Sequence, residues 1–126
     1  MLRIIVFIFT VFPCLIFGDV ISESDIVGEW EWLGNSMEKS NDLTGLTRTG
    51  PSIHKYHSDG KYEYITVSDG KPENAVIGKW SFKNDILSVT RPDNGTFNNK
   101  ALSFENGVLE TQDDFLGAYM YQKKNR

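Results

Sequence analysis

The stretch that decides the fold is VIGKWSFKNDILSVTRP, residues 76–92. Side chains alternate between the two faces of an extended chain. Val76, Gly78, Trp80 and Phe82 therefore share one face, and Ile77, Lys79, Ser81 and Lys83 share the other. Asn84-Asp85 follows as a two-residue link of the kind that accepts positive φ and turns a hairpin, after which Leu87 and Val89 resume the alternation. Working outward, the same signature predicts strands over 29–36, 53–58, 61–67, 76–83, 86–92, 99–105, 108–113 and 116–123. Helical periodicity is missing apart from one short turn, where Ser22-Glu23-Ser24-Asp25 caps Ile26-Val27 ahead of the first strand.

The links between these segments carry further information. Asp59-Gly60, Asn84-Asp85 and Asn106-Gly107 are tight, 37–52 and 68–75 are long, and the link through Pro92-Asp93-Asn94-Gly95 is intermediate. Alternate connections of an up-and-down meander lie at opposite ends, which predicts a closed floor at the tight turns and a loop-rich mouth opposite. The fold class is all-β, an eight-stranded up-and-down antiparallel barrel with one short N-terminal helical turn. Eight strands enclose either a filled core or one small ligand. Asn94-Gly95-Thr96 reads as a turn and, in a eukaryotic secretory pathway, as a glycosylation acceptor.

Ahead of the barrel, residues 1–18 have the layout of a secretory signal peptide. Arg3 is the positive start, Ile4 to Phe12 the apolar core, Pro13 the helix breaker and Gly18 the small residue before a cut at Asp19. The run is too short for a stable membrane anchor. The division is thus 1–18 signal peptide and 19–126 barrel domain, in a secreted or periplasmic protein. Cys14 is the single cysteine of the 126 residues and leaves with the leader, so neither disulfides nor a thiolate zinc site are expected in the mature chain. A formal net charge of −4 argues against nucleic-acid partners.

The candidate functional region is the interior. With residues 76–83 setting the phase, the inward set is Trp30, Trp32, Tyr62, Tyr64, Val76, Trp80, Phe82, Leu87, Val89, Leu102, Phe104 and Tyr119. Tyr64, Val76, Val89, Leu102 and Tyr119 lie toward the mouth, with Arg91 near its rim; these six are the expected ligand-binding residues. His54 and His57 are three apart on one strand and point to opposite faces, so they do not chelate one metal; both read as ordinary strand histidines at the closed end. No nucleophile elbow, phosphate loop or catalytic triad stands out, and neither enzymatic activity, a cofactor nor a metal is expected. Residues 37–52 are long enough for a lid or binding loop, or for a plain surface connection.

Gly28-Glu29-Trp30, opening the first strand after a helical turn, resembles the Gly-x-Trp motif of lipocalins. Asp59-Gly60-Lys61-Tyr62, Gly78-Lys79-Trp80-Ser81-Phe82 and the closing Tyr119-Met120-Tyr121-Gln122-Lys123-Lys124 are similar to short lipocalin-like domains of bacterial exported proteins. The resemblance covers nearly all of 25–124. It implies that Gly28 and Trp30 form a structural motif, Trp30 being a plug at the closed end covered by a basic side chain, for which Lys123, Lys124 and Arg126 are candidates. The family's Thr-Asp-Tyr segment and C-terminal helix have no counterpart here. Two functional readings follow: an exported barrel that binds a small apolar or amphipathic molecule, or a filled barrel that binds a protein partner through an outer patch of Ile65, Val67 and Ile77.

Overall fold

The computed structural model describes residues 20–48 and 50–126; the expected signal peptide, 1–18, lies outside the described residues. A single helical turn, α1 (Glu23–Ile26), precedes eight strands: β1 (Gly28–Ser36), β2 (Ser52–Tyr56), β3 (Lys61–Ser68), β4 (Lys71–Lys83), β5 (Ile86–Arg91), β6 (Gly95–Glu105), β7 (Val108–Asp113) and β8 (Tyr119–Lys124). Each strand pairs antiparallel with the next, and β8 returns to β1 to close the barrel. The expected helical turn is present: the Ser22 amide donates to the Asp25 carboxylate at 2.8 Å.

The closed end is built around Trp30, which is fully buried. Its Nε1–H donates to the Ile26 carbonyl of α1 at 2.8 Å, so the helical turn exists to satisfy the plug's polar atom. Of the three candidate covers, Lys124 takes the role. It lies opposite Trp30 in the β1–β8 register, its Nζ stands 5.7 Å from the Trp30 ring centroid, and it donates to the Asp25 carbonyl at 2.7 Å. Arg126 instead pairs with Glu29 at 3.6 Å. Gly28 is required by close approach: a Cβ there would overlap the Arg126 carbonyl and stand 2.8 Å from Lys124 Cε. Above the plug, Tyr56, Tyr62, Trp80, Phe82, Leu87 and Leu109 fill the lower half as one core.

The tight turns at Asp59-Gly60, Asn84-Asp85 and Asn106-Gly107 share this end, linked by Trp80 N–H to Gly60 O, Ala101 N–H to Asp85 O and Lys124 N–H to Gly107 O. The expected long connection over 68–75 is overturned. β4 begins at Lys71, and Asp69-Gly70, with φ of 52° and 75°, turns the β3–β4 hairpin in two residues. Pro72 is tolerated inside β4 because pairing with β5 starts only at Lys79, so the missing N–H faces no neighbour there. The link before β6 also shortens, since that strand starts at Gly95 rather than 99.

Two expectations about phase are corrected. A β-bulge between Ala101 and Ser103 puts the extra residue, Leu102, on the outer face at 37 % exposure, while Ala101 is buried and Phe104 packs 5.5 Å from Trp30. In β8 the Trp30–Lys124 pairing fixes even-numbered residues inward, so Met120 faces the interior and Tyr119 does not.

Trp30→Ala is expected to destabilise the barrel by about 3–5 kcal/mol. Gly78→Ala, whose Cβ would overlap the Thr90 carbonyl, is expected to cost about 1–3 kcal/mol through overpacking. Urea unfolding of both variants checks these values, and a Gly78→Ala protein as stable as the parent would contradict the register described.

Candidate functional site

Above the packed floor the barrel opens into a cavity of ≈ 630 Å³. Its composition follows from the strand register, because directly opposed residues share a face. On one side β1–β3 supply Trp32, His54, Tyr56, Tyr62 and Tyr64. The His54 ring is the hub of this aromatic wall, with centroids at 5.8 Å from Trp32, 5.9 Å from Tyr62 and 5.3 Å from Tyr64. On the other side β5 and β6 supply Leu87, Val89, Phe97 and Asn99, and β7 and β8 supply Thr111, Met120 and Gln122.

The polar groups of the wall are mostly neutral and mostly partnered. His54 Nδ1 and the Tyr62 hydroxyl share a hydrogen bond of 2.7 Å, and the Tyr56 hydroxyl donates to Gln122 Oε1 at 3.2 Å. Burial pushes the His54 pKa down to about 4, with the Arg91 charge adding to the shift, and burial pushes the Tyr62 phenol up. Both groups are uncharged at neutral pH. Asn99 Oδ1 differs: it is buried in the cavity wall and accepts no hydrogen bond from the described residues.

The rim carries the charges. Arg91 lies 4.1 Å above the Tyr64 ring and donates from Nε and Nη2 to the Asp93 carboxylate at 3.0 and 2.6 Å. That pairing raises the Arg91 pKa and holds Asp93 below the usual carboxylate range. Across the mouth, the Asp113 carboxylate accepts from the Leu116 amide at 2.7 Å and shapes the 114–118 loop. This loop presents Phe115 at 86 % and Leu116 at 66 % exposure while both also line the cavity.

Of the six residues expected at the site, Tyr64, Val89 and Arg91 line the cavity together. Val76 has the expected phase, opposite Tyr64, but is not among the lining residues. Leu102 and Tyr119 are displaced from the lining by the bulge and the β8 phase already described. His54 is a second correction: it belongs to the cavity rather than the closed end, since it opposes Tyr64 in the register. His57 does face the other way and pairs with Glu63. Phe97, Asn99 and Met120 were missed, although Asn94-Gly95 followed by the alternating Phe97 and Asn99 was a readable signal of an earlier strand start.

The 37–51 connection is not a lid. None of its described residues lines the cavity. It clasps the outer face of β7 and β8 through Glu110, a buried carboxylate that accepts from Lys39 Nζ at 2.6 Å and from the Tyr121 hydroxyl at 2.8 Å, while the Ser40 amide donates to the Tyr121 oxygen at 2.8 Å. In the expected outer patch, Ile77 is exposed, whereas Ile65 and Val67 are partly buried. Among the described residues no helix is long and apolar enough to cross a membrane.

No family model matches the chain, and no curated protein matches it in sequence. Solved structures do match. A lipocalin-like protein from Bacteroides uniformis superposes with a TM-score of 0.58 at 14 % identity, over 79 % of this chain and 98 % of its own. The fold is that of a lipocalin-like barrel. An uncharacterized protein from Bacteroides eggerthii superposes with a TM-score of 0.62 at 12 % identity, over 79 % of this chain and 99 % of its own. At such identities the likeness of this lipocalin-like barrel to both structures is one of fold.

A histidine whose pKa is depressed in the fold binds its proton more readily when unfolded, so stability falls as pH drops from about 6.5 and the loss is complete below about 4. The expected contribution is on the order of 1–3 kcal/mol. Urea unfolding at pH 7 and pH 4.5 should show that His54→Gln removes this part of the pH dependence; equal losses in parent and variant would disprove it.

Proposed function

We propose that this protein is an exported barrel that binds a small apolar or amphipathic molecule in the cavity above the Trp30 floor. The observation that carries the reading is the division of the interior: aromatic side chains pack the lower half, and a cavity of ≈ 630 Å³ remains in the upper half. That volume is in the range of small-molecule sites, and the lining combines aromatic and aliphatic side chains with hydrogen-bonding groups. Burial of about 200 Å² of ligand apolar surface contributes about 5 kcal/mol before the costs of association. Val89, Leu87, Phe97 and Met120 supply the apolar contact, and Tyr64, Asn99 and Gln122 orient polar groups. Phe115 and Leu116 offer an entering ligand apolar surface at the rim.

Binding rather than catalysis is favoured because Arg91 is held by Asp93 and neutral His54 by Tyr62, while Asp113 and Asp114 at the rim have no ion-pair partner among the described residues. The leader-like start of the chain supports a secreted or periplasmic setting. The partner-binding reading keeps little of its outer patch, since Ile77 alone of the three residues is exposed.

Native mass spectrometry of protein purified from its own secreting cells is expected to show an adduct that disappears on denaturation. Met120→Trp, which fills the upper cavity, is expected to weaken uptake of that molecule at least about tenfold. Tyr119→Ala is expected to leave it unchanged. A bare mass throughout, or a Met120→Trp variant that still binds fully, would refute the reading.

A further inference from the structure

We propose that the cavity selects planar aromatic molecules bearing an N–H donor and no negative charge, aromatic amines being the fitting class, and discriminates against carboxylates. This rests on the small-molecule reading above and narrows it to one ligand chemistry.

Shape comes first. The rings of Trp32, His54 and Tyr64 form one wall and Val89 and Phe97 stand opposite it, so a flat ring gains contact on both faces and can meet the aromatic side edge-on or offset.

Charge is the second constraint. Arg91 is the cation of the rim, and its guanidinium is already bound twice by the Asp93 carboxylate and stacked on Tyr64. Asp113 and Asp114 also line the cavity, and neither forms an ion pair with a described residue. With Arg91 and Asp93 cancelling, the two aspartates set the net charge at the mouth, and low-dielectric walls focus their field inward. An incoming carboxylate meets repulsion, and an ammonium meets attraction supplemented by the ring faces.

Hydrogen bonding is the third, and it agrees with the second. The Asp113 and Asp114 carboxylates that line the cavity are acceptors only, Asp113 already taking the Leu116 amide at 2.7 Å. Such an acceptor is stabilised by a donor and gains nothing from another acceptor. Amines and ring N–H groups bring donors; an ionised carboxylate brings none.

Calorimetric titration of the purified protein with tryptamine, indole, indole-3-acetate and decanoate tests this, since the first three share one ring and differ in charge. Tryptamine is expected to bind at least about tenfold more tightly than indole-3-acetate, with indole between them. Changing Asp113→Asn together with Asp114→Asn is expected to shrink that ratio several-fold, the asparagine at 113 still accepting from the Leu116 amide. A control pair distant from the cavity, Glu23→Gln with Glu73→Gln, is expected to leave the ratio as it was. Indole-3-acetate binding as tightly as tryptamine, or a ratio unaffected by the aspartate changes, overturns the proposal. Binding of decanoate or indole-3-acetate without tryptamine overturns this selectivity and leaves the binding barrel standing. No binding by any of the four overturns both.

Discussion

The structure depends on the burial of one indole. Trp30 brings a large ring to the closed end together with an N–H that must find an acceptor out of water, and a single helical turn is placed to supply it from Ile26. The ring needs a cover, and Lys124 on the last strand reaches over it while donating back to Asp25. One residue therefore ties the entry segment, the first strand and the last strand together. The same arrangement sets the register in which β8 meets β1. From that register follow the phase of β8, the inward direction of Met120 and Gln122, and the space left above them.

The two halves of the barrel solve different problems. At the floor, Tyr56, Tyr62, Trp80 and Phe82 come from strands joined by tight turns, and bulky rings on converging chains leave no volume over. Higher up, the small or amide side chains of Ser52, Asn99, Thr111 and Gln122 on β2, β6, β7 and β8 stand beside the rings of Trp32, His54, Tyr64 and Phe97. A small barrel can keep a cavity only if its rigidity is supplied elsewhere, and the outer clasp of Lys39, Ser40 and Tyr121 around Glu110 braces β7 and β8 from outside. The loop that looked suited to guarding the mouth thus braces the wall, and the mouth is framed by the 92–94 and 114–118 turns instead.

The rim and wall also divide the polar work. Charges are confined to the mouth, and the wall carries hydroxyls, amides and a histidine kept neutral by burial. Such a lining orients a ligand by directional bonds without the desolvation cost of an unpaired buried ion.

Residue alternation over 76–92, together with the dipeptides Asp59-Gly60, Asn84-Asp85 and Asn106-Gly107, was enough to read an all-β meander and the end at which it closes, because both signals are local: period two in a strand, and positive φ in a two-residue turn. Gly28 and Trp30 were legible for the same reason, as a short motif at the start of a strand. Three of the six residues expected at the site, Tyr64, Val89 and Arg91, line the cavity because they lie on segments whose phase runs unbroken from the clear alternation of β4 and β5. Leu102, Tyr119 and His54 were misplaced where that continuity fails or was not carried across strands. A bulge adds a residue without changing composition, and the phase of β8 depends on its pairing with β1, distant in sequence. By itself the sequence determined the strands, the tight turns and the plug, which follow from near neighbours. Tertiary structure alone decided which side chains share the cavity, because that depends on register between strands, set by closure of the sheet on itself.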